Sequence, residues 1–425
     1  MLNGSPHVVI VGGGFGGLEA AKALRGEAVR VTLVDQRNHH LFQPLLYQVA
    51  TAGLAATDIA SPIRNILAHQ ENCTVLLARV TGVDTARNVL RLDDGEGQEL
   101  AYDALILAVG VTHAYFGHDA WAEQAPGLKS LEDALDIRRR VLLAYERAER
   151  TEDLEERRAL LTFVVIGGGP TGGELAGALS EIATRTMMRN FRHFDPSEAK
   201  VHLLEGGPRL LPGFPESLSA QAKEDLEGLG VLVSLDTPAK DIDANGVLVA
   251  DQRIEARTVL WAAGVGGPPL VRTLGVPLAR GNRLPVEGTL QVVGLKNVFA
   301  VGDIASFEQD GALLPGVAQV AMQGGKLAAK NALRLLDPSG PELKRFRYRD
   351  LGSMATIGRS RAVAVLGRMN LTGVLAWFAW LFVHLMALVG FRNRLTVLLE
   401  WSWAYLTYER GARVILEPAR AISKD

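Results

Sequence analysis

The chain has 425 residues, which is too long for one ordinary hydrophobic core, because such cores stop growing at roughly 250–300 residues. Its formal net charge of −2 provides no basic field, so a nucleic-acid-binding protein is excluded. Cys73 is the single cysteine, which excludes internal disulfides, paired-cysteine redox motifs and cysteine-ligated metal clusters, and no metal site is expected. The N-terminus lacks the pattern of a secretion signal, so a secreted destination is not expected.

The first predicted elements are a strand, a glycine-rich turn and a helix. The apolar run Val8–Val11 precedes Gly12, Gly14 and Gly17, which have the spacing G-x-G-x-x-G, and a second strand ends in Asp35. In this spacing the glycines allow a tight turn, close approach of a pyrophosphate and close helix–strand packing. The free N–H groups of the helix then face the phosphates. The pattern predicts a dinucleotide-binding βαβ unit whose terminal carboxylate accepts hydrogen bonds from a ribose.

The middle of the chain contains a second predicted strand, glycine-rich turn and helix. Residues 74–110 predict a β-meander, and Leu131–Arg158 predicts a charged helical surface connection. A second strand, glycine turn and helix follow, with the glycines at Gly167, Gly169 and Gly172, and the unit closes on Glu205. A carboxylate here repels a 2′-phosphate, which favours NADH over NADPH.

Two copies of the βαβ unit in one chain indicate a function that a single copy would not indicate. Val247–Gly264 repeats the meander pattern, so the second domain mirrors the first. Two dinucleotide-binding domains in one chain imply two dinucleotides, and the productive pairing is a nicotinamide donor with a flavin acceptor. A further strand, a loop and a small-residue helix precede Pro341, after which the composition shifts and a domain boundary is expected.

The motifs resemble those of the type II NADH dehydrogenases, the single-chain, non-proton-pumping NADH:quinone oxidoreductases of the two-dinucleotide-binding flavoprotein superfamily. The resemblance covers nearly the whole chain. Its motifs are GGGFGG at Gly12–Gly17, FQPLLYQVATAGL from Phe42, GGGPTGGELAG from Gly167, VGD at Val301–Asp303, AQVAMQG from Ala318, GSMATIGR from Gly352, and FRNR with YLTYERGARVI near the end. It implies an α/β fold with two Rossmann-like dinucleotide-binding domains plus a C-terminal helical membrane-anchoring segment. The domains expected are residues 1–115 and 285–341 for FAD, 116–284 for NADH, and 342–425 for the anchor.

The resemblance also implies ligand-binding residues. Those expected at FAD are Gly12, Gly14, Phe15, Gly16, Gly17, Asp35, Gln48, Gly110, Gly302, Asp303 and Gln319. Those expected at NADH are Gly167, Gly169, Pro170, Thr171, Gly172, Glu174, Glu205, Ala263 and Gly264. Asp303 is otherwise a turn residue after a strand.

Three residues are candidates for the chemistry itself. Glu174 matches a family position near the contact of nicotinamide and flavin, and is otherwise an acid stabilised by its helix start. Gln319 and Gln323 share one helical face, where an amide can donate to a quinone carbonyl, and otherwise they cap backbone or face solvent. The small residues around them, Ala321 and Gly325 among them, are expected to admit a flat ring. The proton donor is left open among His384, Glu174 and water.

The C-terminal region points to a lipid surface. Leu371–Phe391 is about long enough for a transmembrane helix, although His384 interrupts it. In the following segment Thr396, Glu400, Thr407 and Arg410 are expected on one polar face, which is typical of a helix lying in the membrane interface. Residues 344–424 include thirteen Lys or Arg and four Asp or Glu, and this excess of positive charge suits binding to an anionic membrane surface. A buried helical hairpin at a dimer interface is the alternative.

The expected protein is therefore a homodimeric NADH:quinone oxidoreductase, peripheral on the cytoplasmic side of the cytoplasmic membrane, with a membrane quinone and the bilayer surface as partners. Three alternatives remain. They are a soluble NADH–flavin reductase for another acceptor, an NADH-sensing flavoprotein resembling apoptosis-inducing factor, and an integral membrane protein with a catalytic head.

Overall fold

The computed structural model describes residues 4–93, 97–188, 190–407 and 409–416. The chain divides into two compact units. Unit 1 comprises Met1–Leu41, Ala60–Ala114 and Val265–Asp350, and unit 2 comprises Phe42–Ile59, Tyr115–Gly264 and Leu351–Asp425. The boundary expected after residue 284 lies after Gly264, and the C-terminal region belongs to the unit that carries the second glycine motif.

The α-helices of the described residues are α1 (Phe15–Ala23), α2 (Leu46–Ala50), α3 (Ile63–Ile66), α4 (Trp121–Gln124), α5 (Leu131–Arg150), α6 (Leu154–Leu160), α7 (Pro170–Glu181), α8 (Glu216–Gly228), α9 (Ala318–Leu336), α10 (Gly373–Ala387) and α11 (Phe391–Thr407). The strands in the first part of the chain are β1 (His7–Val11), β2 (Arg30–Asp35), β3 (His39–Leu41), β4 (Ala60–Pro62), β5 (Cys73–Leu77), β6 (Arg79–Asp84), β7 (Val89–Asp93), β8 (Glu99–Ala101), β9 (Ala104–Leu107) and β10 (Thr112–His113). Those that follow are β11 (Thr162–Ile166), β12 (Lys200–Leu204), β13 (Val231–Ser234), β14 (Ala239–Asp243), β15 (Gly246–Val249), β16 (Gln252–Glu255), β17 (Thr258–Trp261), β18 (Val265–Gly266), β19 (Leu284–Pro285), β20 (Val298–Ala300), β21 (Ala305–Ser306), β22 (Glu308–Gln309), β23 (Ala312–Leu313), β24 (Ser353–Gly358), β25 (Arg361–Leu366) and β26 (Met369–Thr372).

Unit 1 is built around a parallel sheet with the strand order β20–β9–β1–β2–β5. β1 lies between β2 and β9, so its glycine turn follows the strand at which the order reverses, where ligands bind in open α/β sheets. β6, β7 and β8 form the expected antiparallel meander. The apolar residues of β1, β2 and β9 are buried, which explains why these strands read as continuous apolar runs.

The small residues of α9 serve helix packing. A Cβ added at Gly325 would collide with the carbonyl oxygen of Gly16, where α1 packs against α9. A Cβ added at Gly16 would likewise crowd the carbonyl of Ala321, at 3.2 Å. The expectation that these small residues admit a flat ring is therefore corrected, because at these positions the neighbouring atoms belong to the protein itself.

Unit 2 repeats the arrangement with the parallel sheet β13–β12–β11–β17 and the antiparallel meander β14–β15–β16. The charged helical segment predicted over Leu131–Arg158 consists of two helices, because Asp153 caps α6 by accepting the N–H groups of Glu155 and Glu156. α5 buries one face, including Ile137 and Tyr145, and packs against α2, so it is more than a surface connection.

The C-terminal part of unit 2 begins with a small antiparallel sheet, β24–β25–β26, that the sequence did not predict. β24 packs against α7, where Gly177 leaves room for the carbonyl of Ile357. The apolar stretch Leu371–Phe391 is divided between the end of β26, helix α10 and the turn before α11. Among the described residues, no helix has the length and apolar character needed to cross a membrane.

Helix α11 turns apolar side chains outward. Leu399 and Leu406 are exposed, whereas Thr396 and Glu400 are partly buried. The helix ends at Thr407, so Arg410 lies beyond it, and the expected four-residue polar face is corrected because the chain leaves the helix first. Residues 417–425 of the expected anchor lie outside the described residues.

Candidate active site

The glycine turn after β1 is shaped for a phosphate group. Gly12 has φ +102°, and a Cβ there would collide with the backbone of Ala108, so only glycine fits. Gly17 packs against the carbonyl of Gly12. Gly14 caps α1 without a side-chain bond, and a Cβ there would meet no atom within 4 Å. The free N–H groups at the start of α1 therefore face open space that suits a pyrophosphate.

Asp35 fixes this turn. Its Oδ2 accepts the N–H of Gly13 at 2.6 Å, and its Oδ1 accepts that of Arg37 at 2.7 Å. Each carboxylate oxygen keeps a second lone pair for a ribose hydroxyl.

His40 supports the same turn and was missed by the sequence analysis. Its Nδ1 lies 2.9 Å from the carbonyl of Gly13, which only accepts, so Nδ1 carries the proton. Burial lowers the pKa of His40 and keeps the ring neutral, with Phe15 edge-on at 5.1 Å.

The other residues expected at FAD in unit 1 follow strand ends or lie on α9. Gly110 follows β9, while Gly302 and Asp303 follow β20 and line a small crevice. Gln319 has a buried Oε1 that finds no hydrogen-bond partner among the described residues. A buried acceptor of this kind requires a donor, and the N–H of a flavin ring is one. These residues fit the cofactor that the resemblance implies.

Gln323 is engaged differently from Gln319. Its Nε2 donates to the carbonyl of Arg349 at 2.9 Å, and its Oε1 accepts the N–H of the same residue at 3.0 Å. The amide thus forms a two-bond clamp with backbone inside unit 1, which is the structural alternative to a quinone contact. Its role at a quinone stays a prediction.

The glycine turn after β11 repeats the first one in unit 2. A Cβ at Gly167 would lie 2.6 Å from backbone atoms of Ala262 and Ala263, and Gly172 packs against the carbonyl of Gly167. Gly169 caps α7 and faces open space, and Pro170 and Thr171 form the exposed first turn of that helix. Ala263 and Gly264 follow β17 at the same edge of the sheet. The residues expected at NADH, apart from Glu174 and Glu205, thus surround one turn.

Glu205 has the same role in unit 2 that Asp35 has in unit 1. Its Oε2 accepts the N–H of Gly168 at 2.5 Å, and its Oε1 accepts that of Gly207 at 2.7 Å. The carboxylate is therefore fixed at the end of β12, beside the glycine turn, where a ribose hydroxyl can reach it.

Unit 2 also contains a cavity of about 650 Å³. Its walls come from α2, α7, β24, α10, α11 and the segment that follows α11. Most of its aromatic and apolar lining consists of Trp377, Phe378, Trp380, Leu381, Phe382, Leu385, Leu398, Trp401, Tyr405 and Leu406, and its polar lining includes Tyr47, Gln48, Glu174, Glu181, Arg359 and Arg410. The volume and the aromatic walls suit a planar ring with an apolar substituent.

Glu174 is the acid in this cavity. The exposed part of its side chain faces the cavity, because Glu174 is among the lining residues. Burial raises its pKa well above the ordinary range, although the N–H of Thr356 opposes the shift. The carboxyl group therefore keeps its proton to a higher pH than an ordinary glutamate does and can donate a proton.

Two residues of the FQPLLYQVATAGL motif lie beside Glu174 in the cavity wall. The indole Nε1–H of Trp401 donates to Oε1 of Gln48 at 2.7 Å, and Nε2 of Gln48 donates to the Tyr47 hydroxyl at 2.9 Å. Burial and the neighbouring Glu174 raise the pKa of Tyr47. Gln48, expected at FAD, is thus also part of the cavity wall.

An ion pair closes one side of the cavity. Nη2 of Arg410 lies 3.2 Å from Oε2 of Glu181, and Nη1 donates to the carbonyl of Thr51 at 2.7 Å. Oε1 of Glu181 accepts the N–H of Arg359 at 2.6 Å, and the Arg359 guanidinium lies 4.1 Å above the Tyr405 ring. Both oxygens of Glu181 are satisfied, so the pair is fixed in place.

His384 is a poor proton donor. Its ring stacks on Trp380 at 4.2 Å, and its Nδ1 lies 2.7 Å from the Trp380 carbonyl. Burial lowers its pKa to about 4, so the ring is neutral at physiological pH. Of the two side chains left open as donors by the sequence, Glu174 is the one whose pKa is raised.

Glu174 and Gln48 were expected at a site from the sequence, whereas Tyr47, Glu181, Arg359, Trp401 and Arg410 were not. Tyr47, Arg359 and Arg410 stand in motifs that carry the family resemblance, although no role was expected for them at a site. Glu181 and Trp401 lie outside those motifs, and only their position in the wall of one cavity reveals them.

Comparison with known proteins identifies two family models. Residues 6–325 match the model described as pyridine nucleotide-disulphide oxidoreductase, and residues 351–408 match the NDH2 C-terminal domain. The Mycobacterium tuberculosis protein named type II NADH:quinone oxidoreductase Ndh is 44% identical over 97% of this chain and 90% of its own length. The Haemophilus influenzae protein named type II NADH:quinone oxidoreductase is 31% identical over 89% of this chain and 93% of its own.

Solved structures share the fold. NDH2 from Plasmodium falciparum in complex with NADH has a TM-score of 0.87 at 21% identity and covers 97% of this chain and 100% of its own. The sulfide:quinone oxidoreductase from Aquifex aeolicus has a TM-score of 0.72 at 19% identity, with 89% and 90% covered. At these identities the likeness concerns the fold.

Proposed function

The chain belongs to the type II NADH:quinone oxidoreductases of the pyridine nucleotide-disulphide oxidoreductase family, and we propose that its quinone binds in the aromatic cavity of unit 2. It is a non-proton-pumping NADH:quinone oxidoreductase with FAD as cofactor. FAD, when bound, accepts hydride from NADH and passes two electrons to the quinone. The observation that carries the quinone proposal is a cavity with aromatic walls whose lining includes Glu174, a carboxyl group with a raised pKa.

The residues around the two glycine turns bind the dinucleotides in this proposal. The turn at Gly12–Gly17, with Asp35, Gly110, Gly302, Asp303 and Gln319, binds FAD. The turn at Gly167–Gly172, with Glu205, Ala263 and Gly264, binds NADH. Support comes from the open space at Gly14 and Gly169 and from the orphaned acceptor on Gln319. A carboxylate fixed beside the second turn favours NADH over NADPH.

Glu174 holds a proton for the reduced quinone. Reduction of a quinone to a quinol consumes two electrons and two protons, so the quinone needs a proton donor. Glu174 lines the cavity, and its raised pKa lets it carry a proton there. His384 is held against Trp380 by its backbone contact and contributes packing.

Helices α10 and α11 dock on the membrane surface in this proposal. Leu375, Phe382, Phe391 and Leu406 are 72%, 67%, 81% and 79% exposed, which is unusual for such large apolar side chains. A patch of this kind rests on acyl chains while a quinone enters the cavity that the same helices line. The proposal places the enzyme on the cytoplasmic side of the cytoplasmic membrane, as a homodimer. Protease accessibility in inverted vesicles and light scattering in detergent test these two points.

The quinone site is tested by filling the cavity. Ala404 lies on α11 and lines the cavity, so Ala404→Phe places a ring inside it. We expect the KM for menadione to rise about tenfold or more, while flavin reduction by NADH, measured by stopped flow, keeps its rate. Leu399→Phe is the matched control, because Leu399 lies on the same helix, is 60% exposed and does not line the cavity. An unchanged KM in Ala404→Phe, with retained flavin, argues against a quinone in this cavity.

A further inference from the structure

The hydrogen-bonded chain from Trp401 through Gln48 to Tyr47 has a fixed direction. An indole N–H can only donate, so the amide oxygen of Gln48 must face Trp401, as it does at 2.7 Å. The amide nitrogen then faces Tyr47, and an NH₂ group can only donate as well. The Tyr47 hydroxyl must therefore accept, which leaves its own proton for another partner.

The groups around Tyr47 limit which acceptors its hydroxyl proton can reach. The ionisable groups that act on the Tyr47 hydroxyl are Glu174, Glu181 and Arg410, and all three line the same cavity. Arg410 only donates, and the two oxygens of Glu181 already accept from Arg410 and Arg359. The acceptors open to the Tyr47 proton are therefore the carboxyl groups of Glu174 and Glu181 and an acceptor that enters the cavity, and of the two acids Glu174 is the one without an ion pair to Arg410.

We propose that Tyr47 donates its hydroxyl proton to a carbonyl oxygen of the quinone, that Glu174 returns a proton to Tyr47, and that Gln48 and Trp401 are the positioning residues that enforce this direction. The inference rests on the proposed function, since it names a donor in the quinone cavity.

The NADH:quinone reaction supplies all the electrons and protons that this step needs. The quinone receives two electrons that originate in NADH and two protons. The O–H bond of Tyr47 breaks as the first O–H bond of the quinol forms, and the carboxyl proton of Glu174 restores the phenol. A proton from bulk solvent then restores the Glu174 carboxyl group, and the second O–H bond of the quinol, on the opposite oxygen, takes its proton from solvent.

The chain also links the donor to α11. Trp401 lies 353 residues from Gln48 in the sequence, and it lies on the helix whose outer face is apolar and exposed. If α11 shifts and carries the Trp401 indole away, the Gln48 amide loses its hydrogen bond to the indole and can rotate. The orientation of the Tyr47 O–H bond therefore depends on the position of α11.

The test uses the purified FAD-loaded enzyme and menadione in stopped flow. Tyr47→Phe is expected to slow reoxidation of the reduced enzyme by about 10²-fold and to abolish its solvent isotope effect in D₂O, because general-acid donors contribute on that order. Its affinity for menadione, measured by tryptophan fluorescence, is expected to stay within about twofold, and its reduction by NADH is expected to keep its rate. Tyr145→Phe is the matched control, since Tyr145 is buried in the same unit and its hydroxyl has no hydrogen-bond partner among the described residues.

The positioning residues are tested by their dependence on Tyr47. Trp401→Phe and the size-matched Gln48→Met are expected to lower kcat several-fold with little change in menadione affinity. Neither should add to the loss in a Tyr47→Phe background, because they act through that hydroxyl. A purely structural role would instead give additive losses and would overturn the positioning assignment.

Two results separate this inference from the proposed function. If wild-type enzyme reacts with menadione, and Tyr47→Phe reacts at the same rate or keeps the isotope effect, the Tyr47 inference fails alone. If the reduced wild-type enzyme is not reoxidised by menadione but is reoxidised by ferricyanide, the proposed function fails and this inference with it.

Discussion

The carboxylate of Glu205 accepts the backbone N–H of Gly168 at 2.5 Å, and in unit 1 Asp35 accepts the N–H of Gly13 at 2.6 Å. Each acid thus fixes the glycine turn of its own βαβ unit. The acid at the end of the second strand is therefore both a ribose ligand by position and a structural partner of the turn. Substitutions at these residues must be interpreted with both roles in mind.

Glu205→Gln is expected to narrow the NADH/NADPH ratio of kcat/KM, because the charge that repels a 2′-phosphate is lost. The amide can accept only one of the N–H groups of Gly168 and Gly207, so stability should fall by about 1–3 kcal/mol. Steady-state kinetics with both nucleotides and thermal unfolding measure the two effects. A wild type that prefers NADPH, or a ratio untouched by the substitution, would remove Glu205 from cofactor selection.

Gln323→Leu and Gln319→Leu are expected to differ, although the two residues lie one turn apart on α9. Gln323→Leu breaks both bonds to Arg349 and should lower the melting temperature, at a cost of about 1–3 kcal/mol, with bound FAD retained. Gln319→Leu removes an acceptor without a protein partner, so it should weaken FAD binding instead. Differential scanning fluorimetry and flavin content distinguish them. Normal stability in Gln323→Leu with slowed reoxidation by quinone would support its contact with the quinone.

His384→Phe should make the protein more resistant to acid. The pKa of His384 is lowered from an unfolded value near 6.5 to about 4 in the folded protein, so the unfolded state binds the proton first as pH falls. Folding stability is therefore lost between roughly pH 6.5 and pH 4, by about 3 kcal/mol in total. Unfolding by urea across this range should show a shallower loss in His384→Phe. An identical pH dependence in both proteins would mean that His384 is not buried neutral.

Leu375→Ser, Phe382→Ser and Phe391→Ser, combined, should release the enzyme from anionic lipid vesicles in a sedimentation assay. These side chains are among the most exposed apolar groups of the described residues. Reduction of ferricyanide by NADH should be unchanged, because the dinucleotide turns lie elsewhere in the sequence.

The control combines Leu77→Ser, Phe116→Ser and Leu232→Ser, whose side chains are also exposed but lie outside α10 and α11. Equal release by both triple variants would show general surface adhesion. Retention of the α10–α11 variant on vesicles would argue against docking through these helices.

Local patterns in the sequence determined the two βαβ units and their meanders. The glycine spacing at Gly12–Gly17 and Gly167–Gly172 and the terminal acids Asp35 and Glu205 express short-range requirements, since a tight turn, a phosphate approach and a helix start each depend on neighbouring residues. The structure contains these units where they were predicted. The division of the structure after Gly264 depends on contacts between distant segments, and the domain bounds expected from the sequence stay a prediction.

Only the tertiary structure brought Tyr47, Glu174 and Trp401 to one cavity and decided what each polar group does there. Hydrogen-bond partners such as Trp401 and Gln48 are separated by 353 residues, and no local period encodes such a pairing. The raised pKa of Glu174 and the lowered pKa of His384 arise from burial, which depends on what packs around a residue. The clamp between Gln323 and Arg349 is of the same kind, because an amide on a helix has no partner until another segment of the chain supplies one.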